Sequence, residues 1–79
     1  MEKSLHSKRQ QLLIELLKKA RKVAGLTQQE VADKLGKPQS FVAKYENGER
    51  RLDVVEFIDV TAALDAAPGS IISKLESGS

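Results

Sequence analysis

Residues 27–48 read TQQEVADKLGKPQSFVAKYENG, and the fold turns on how this stretch divides. Thr27 followed by Glu30 is a capping box, in which the hydroxyl accepts from a first-turn N–H and the carboxylate reaches back to the cap. A helix is therefore expected to start here and run to about Leu35, with Val31, Ala32 and Leu35 on its inner side. Gly36 stops it, because glycine enters the left-handed region without a Cβ clash. Pro38 stands where a helix start tolerates a missing N–H. A second short helix should then run from about Gln39 to Asn47, with Asn47-Gly48 as its stop.

Advancing by about 100° per residue separates two faces on that second helix. Phe41, Val42 and Tyr45 fall on one side and read as core. Gln39, Ser40, Ala43, Lys44 and Asn47 fall on the other. This second set is a ridge of short polar groups without an acid, in a chain that holds 11 acidic residues. A helix of this width enters the DNA major groove, where Gln pairs with adenine, Lys reaches guanine and Ser serves several bases. Gln28 and Gln29 open the preceding helix, whose free N–H groups and positive dipole end favour a phosphate. Lys37, Arg50 and Arg51 flank the ridge and are further candidates for phosphate contacts. The plain alternative is a polar face that meets only water.

Outward from this pair, residues 12–24 (LLIELLKKARKVA) place Leu12, Leu13, Leu16, Leu17, Ala20, Val23 and Ala24 on one helical side. Ser7 with Gln10 reads as a capping box, with Leu5 as a candidate staple, and Gly25 ends that helix. Asp53 with Glu56 is a third box. It opens a helix to about Leu64 whose core side is expected to hold Val54, Phe57, Ile58, Thr61, Ala62 and Leu64. Val55 and Val60 fall at its edges, and Glu56, Asp59 and Ala63 outside. A last helix begins near Pro68 and carries Ile71, Ile72 and Leu75. Residues 1–6 and 76–79 are expected to fray. Five helices with short loops and no strand signal imply one all-α domain over residues 1–79.

Composition narrows the function. The chain has 79 residues, 41% hydrophobic and 30% charged, which is ordinary for a small globular domain. It contains no Cys and a single His, so neither a disulfide nor a metal cluster is expected, and no cofactor. A net charge of +2 hints only weakly at a polyanionic partner. No apolar run reaches the roughly 18 residues of a membrane span. The start MEKSLHSKRQQ lacks the apolar centre of a signal peptide, so the cytoplasm is the expected compartment and no membrane partner is expected. No Ser–His–Asp, Cys–His or glycine-rich phosphate pattern is present, and Glu46 and Glu49 straddle a helix end, so no enzyme is expected. His6 reads as a surface histidine, and Lys18, Lys19 and Lys22 as a solvated face.

The order AGLTQ, EVADKLG, QSFVAKYENGERR, then a capped apolar helix, resembles the phage-repressor-like helix-turn-helix family of the Cro/C1 or XRE type. The spacing of Gly25, Leu26, Thr27, Gln28, Ala32, Gly36, Gln39, Glu46, Asn47 and Gly48 carries the resemblance, which covers residues 13–75. It implies a five-helix lambda-repressor-like domain with its helix-turn-helix at about 27–47. It implies that Gln28 orients and binds phosphate, and that Gln39, Ser40 and Lys44 read bases. Phe41 and Lys37 take positions that meet a base edge or the backbone, and Asn47 and the loop after it meet the backbone. Arg21 and Glu46 match a buried ion pair whose role is structural.

Two departures stand out. Pro38 replaces a Ser/Thr cap, and Asp65 replaces a glycine. The apolar surplus of the last two helices, with Val60, Ile71, Ile72 and Leu75 at the interface, points to a homodimer. The function expected is a sequence-specific regulator of transcription, a repressor bound as a dimer to palindromic double-stranded DNA. The alternative is an antitoxin-like interaction module that binds a toxin and regulates its own operon.

Overall fold

Local side-chain bonds open three of the five helices in this chain, at Ser7, Thr27 and Asp53. The computed structural model describes residues 7–78. In chain order they form α1 (Lys8–Val23), α2 (Gln28–Leu35), α3 (Gln39–Glu46), α4 (Val54–Ala63) and α5 (Pro68–Ser77), with no strand among the described residues. Thr27 Oγ1 accepts from the Glu30 N–H at 3.1 Å, and Glu30 Oε1 accepts from the Thr27 N–H at 2.8 Å. Asp53 and Glu56 form the same reciprocal pair at 2.7 and 3.0 Å. At Ser7 only the forward half forms, with the Gln10 N–H donating to Oγ at 3.1 Å, so the expected box is a single cap. Pro38 occupies the N-cap of α3 without a side-chain bond.

Gly36 turns the chain between α2 and α3 at φ 68°, and its N–H and that of Lys37 close onto carbonyls of α2. Beyond α4 the corresponding left-handed position belongs to Asp65, at φ 56°. The Asp65 N–H donates to Ala62 O at 3.1 Å and the Ala66 N–H to Thr61 O at 2.8 Å. The turn thus closes as a glycine turn would, with an aspartate accepting the strain.

All five helices feed one core. It comprises Leu17 from α1, Val31 and Ala32 from α2, Phe41, Val42 and Tyr45 from α3, Phe57 and Val60 from α4, Leu64 just beyond it, and Ile71 from α5. Burial on α4 follows Phe57, Val60, Thr61 and Leu64, the i, i+3, i+4, i+7 pattern of a single face. Its rotation therefore differs from the expected one. Val54 and Ile58 are exposed, whereas Val60 is fully buried and Ala63 packs against the core. The cause is an excess of apolar residues around α4, which leaves several phases of nearly equal hydrophobicity. Val23 and Ala24, expected inward, are exposed at the end of α1. Glu76 and Ser77 form the end of α5, with Gly78 as its cap. Leu5, His6 and the fraying expected of residues 1–6 and Ser79 lie outside the described residues.

Asp65→Gly should raise stability by about 1 kcal/mol by relieving the left-handed aspartate. Urea unfolding checks this, and an unchanged or lower midpoint would mean that the aspartate bears no strain there.

Candidate nucleic-acid interface

The packing of α3 decides which of its side chains can meet a partner. Phe41, Val42 and Tyr45 are held in the core, and this turns Gln39, Ser40, Lys44 and, at the cap, Asn47 outward, all exposed. The acid of α3, Glu46, is 3% exposed and faces the interior. The outer face of α3 is therefore free of carboxylate along its length, a property that favours an anionic partner.

Beneath this ridge lies a directed chain of hydrogen bonds. Arg21 of α1 donates from Nε to Glu46 Oε2 at 2.8 Å and from Nη2 to Glu46 Oε1 at 3.1 Å. Its Nη1 donates to the Leu26 carbonyl at 2.9 Å, which ties the turn before α2 to the same guanidinium. Gln28 Nε2 donates to Glu46 Oε1 at 2.9 Å, and Gln39 Nε2 donates to Gln28 Oε1 at 2.6 Å. The Glu46 hydrogen bond raises the Arg21 pKa above its already high ordinary value, so the guanidinium stays charged. The Arg21–Glu46 pair joins α1 to the end of α3. The links onward to Gln28 and Gln39 were not foreseen, because nothing in the order of residues shows which side chains meet across two crossing helices. Tyr45, next to Glu46, keeps a buried hydroxyl without a hydrogen-bond partner, and burial raises its pKa and holds it neutral.

Several expected contacts need correction. Phe41 is 9% exposed and does not offer its ring as a base-reading edge. Lys37 Nζ lies 5.5 Å and Arg50 Cζ 4.8 Å from the ring centroid, and Tyr45 meets the ring edge-on at 5.7 Å. Arg50 grips Glu56 through Nη1–Oε1 at 2.9 Å and Nη2–Oε2 at 2.7 Å, so its charge is largely committed inside the chain. Arg50, and then the Asp53 backbone N–H, pull the Glu56 pKa down to about 2. Gln29 donates to Asp33 at 2.9 Å on the outside of α2. Lys37, Lys44, Asn47 and Arg51 remain exposed beside the ridge.

The expected dimer residues also divide. Val60 and Ile71 belong to the monomer core and cannot form an outer contact, because their neighbours within the chain already cover them. The apolar groups that do reach the surface are Val23 at the end of α1, Val54, Val55 and Ile58 on α4 and Ile72 on α5, with Leu75 half-buried. Among the described residues, no group of three or more His, Cys, Asp or Glu side chains could hold a metal ion. No described helix is long and apolar enough to cross a membrane.

A family model described as helix-turn-helix matches residues 17–71. Among solved structures, an XRE-family like protein from Pseudomonas syringae pv. tomato str. DC3000 is 52% identical over 90% of this chain and 87% of its own, with a TM-score of 0.86. The restriction-modification controller protein C.AhdI from Aeromonas hydrophila is 28% identical over 84% of this chain and 99% of its own, with a TM-score of 0.72. The controller protein C.Esp1396I, solved as a tetramer in complex with its natural 35 base-pair operator, shares the fold at 19% identity. It covers 91% of this chain and 95% of its own, with a TM-score of 0.80. No curated protein matches the chain.

Arg21→Ala should destabilise the fold by about 3 kcal/mol, because it strands the Glu46 carboxylate in the interior. Thermal or urea unfolding measures this, and a loss below about 1 kcal/mol would show that the pair is dispensable. The Glu56 carboxylate gives a pH prediction. Its pKa falls from an ordinary 4.5 to about 2, so its contribution is present above pH 4.5 and is lost as pH falls toward 2. Wild type should lose stability across that window, and Glu56→Gln should lose less. Parallel curves for the two would refute the Arg50–Glu56 assignment.

Proposed function

The chain belongs to the XRE-type helix-turn-helix family, and we propose that it is a sequence-specific regulator of transcription that binds double-stranded DNA as a homodimer. The observation that carries the reading is the outer face of α3. Gln39, Ser40 and Lys44 stand exposed on a rigidly packed helix whose own acid is turned inward. In this reading α3 enters the major groove and these three side chains meet base edges. The N-terminus of α2, with Gln28 and Gln29, approaches the phosphate backbone, and Lys37, Asn47 and Arg51 contact it on either side. Arg50 acts mainly from within, holding the loop before α4 against Phe41.

The chain works as one unit over residues 1–79, in the cytoplasm. Two copies meet through the exposed apolar stripe of α4, Val54, Val55 and Ile58, joined by Ile72 and Leu75 of α5. A two-fold dimer of this kind sets its recognition helices about 34 Å apart, facing successive major grooves of a palindromic site. Repression is then steric, since a dimer lying on a promoter excludes polymerase.

Selection from random duplex DNA at near-physiological salt should recover a palindrome. Recovery of nothing above background would overturn DNA recognition by this chain. Sedimentation at micromolar concentration should show a dimer, and Ile58→Asp with Ile72→Asp should convert it to monomer. A monomeric wild type would overturn the two-fold arrangement.

A further inference from the structure

We infer that the trough between α1 and α5 is a docking site for an acidic amphipathic helix of a partner protein. The site uses none of the residues proposed above to meet DNA or a second copy, and it does not rest on either role.

The floor of the trough is small and apolar. Ala20 of α1, with Ala66, Ala67 and Ile71 around the start of α5, lines a hollow of about 240 Å³ that opens to water. Val23 stands on the α1 side of it and is 79% exposed, more than any apolar side chain of α4 or α5. A lone exposed valine needs no explanation, but one beside an apolar hollow extends it into a continuous patch. Each wall carries a lysine, Lys19 on α1 and Lys74 on α5, and no carboxylate lines the trough. Among the described residues, neither lysine is held by an ion pair or a hydrogen bond. A more open hollow alongside shares Lys19 and Val23 and adds Lys18, Lys22 and Glu15. Lys18, Lys19, Lys22 and Lys74 thus border the patch against a single acid, Glu15.

Shape and charge select the occupant. A trough between two helices accepts the side-chain ridge of a third, and an amphipathic helix lays anchors at i, i+3, i+4 and i+7 into such a groove. The hollow is smaller than the roughly 300 Å³ at which small-molecule sites begin, so it takes side chains and not a whole small ligand. Lysine stems lie along apolar surface while their ammonium groups stay in water. Carboxylates on both sides of the anchors would meet those groups at the rim. Exposed pairs of this kind add little affinity each; they choose among partners and speed the encounter. DNA shares the negative charge but has no apolar face for the floor. The apolar surface proposed for a second copy points another way, since Ser70 and Lys74 stand about 160° round α5 from Ile72.

The test selects from a displayed library of amphipathic helices, with the apolar and the flanking positions both randomised and the whole chain as bait. Recovered helices should carry apolar residues at i, i+3, i+4 and i+7 with Asp or Glu beside them. As free peptides followed by fluorescence anisotropy, they should bind about tenfold or more weakly to Val23→Glu and to the double variant Lys19→Glu with Lys74→Glu. The double variant should in turn prefer the same peptides with Lys in place of the flanking acids. A merely destabilised fold would not give that reversal. All these positions are exposed, so circular dichroism should show both variants folded as wild type.

Recovery of no helix above background, recovery of helices with basic flanks, or binding unchanged in the variants overturns the inference. So does a change in the oligomeric state of Val23→Glu on sedimentation, which would assign the trough to a second copy. Binding to phosphatidylglycerol vesicles that Val23→Glu abolishes would assign it to a membrane surface and overturn it equally. The double variant should keep the wild-type sequence preference on DNA; loss of that preference would assign the lysines to DNA and also overturn the inference. If no helix is recovered while DNA selection succeeds, the docking site falls and DNA recognition stands. If DNA selection fails while acidic helices bind the trough, the reverse holds.

Discussion

The carboxylate of Glu46 is the point on which scaffold and ridge both depend. It lies in the interior at the end of α3, gripped by Arg21 of α1 through two hydrogen bonds, and the same guanidinium holds the carbonyl of Leu26 before α2. Three helices are thereby referred to one charged pair. A buried ion pair adds little net stability over a well-packed apolar substitute, because desolvation offsets the attraction. Its distinctive property is direction. Apolar packing would tolerate small rotations of α3 about its axis, whereas a two-bond guanidinium–carboxylate contact does not. The orientation of the ridge relative to α1 and α2 is set with that rigidity.

Charge elsewhere is arranged by the same logic. Arg50 is paired with Glu56 and stacked on Phe41, so a residue that looks like part of a basic flank instead braces the loop between α3 and α4. Glu56 serves twice, since it also closes the capping box with Asp53. With these groups committed inside the chain, the cationic character of the ridge side rests on Lys37, Lys44 and Arg51. That agrees with a net charge of only +2. Attraction to a polyanion would come from the placement of a few cations, not from an overall field.

The apolar surface tells a related story about size. A small chain cannot hide every apolar residue, and here, apart from Val23 on α1, the exposed large ones are on α4 and α5, at Val54, Val55, Ile58 and Ile72. These groups belong to other helices than the polar outer face of α3. In the proposed reading a second copy uses these groups and DNA uses the face of α3.

Much of this was legible in the order of residues. The ends of α2 and α4 were marked by Thr27–Glu30 and Asp53–Glu56, because a capping box involves groups only three residues apart. The faces of α3 were legible because Phe41, Val42 and Tyr45 allow a single apolar phase in a helix otherwise polar. The rotation of α4 was not, because its apolar residues surround it and only the shape of the core chose Phe57, Val60, Thr61 and Leu64. Nor was the commitment of Arg50, or the placing of Lys37 and Arg50 over the Phe41 ring. The chain from Arg21 to Gln39 joins residues 25, 18 and 11 positions apart. Local rules decide caps, turns and the inner face of a helix with one apolar side. Which donor meets which acceptor across two helices depends on their crossing angle and separation, and these exist only once the core has packed.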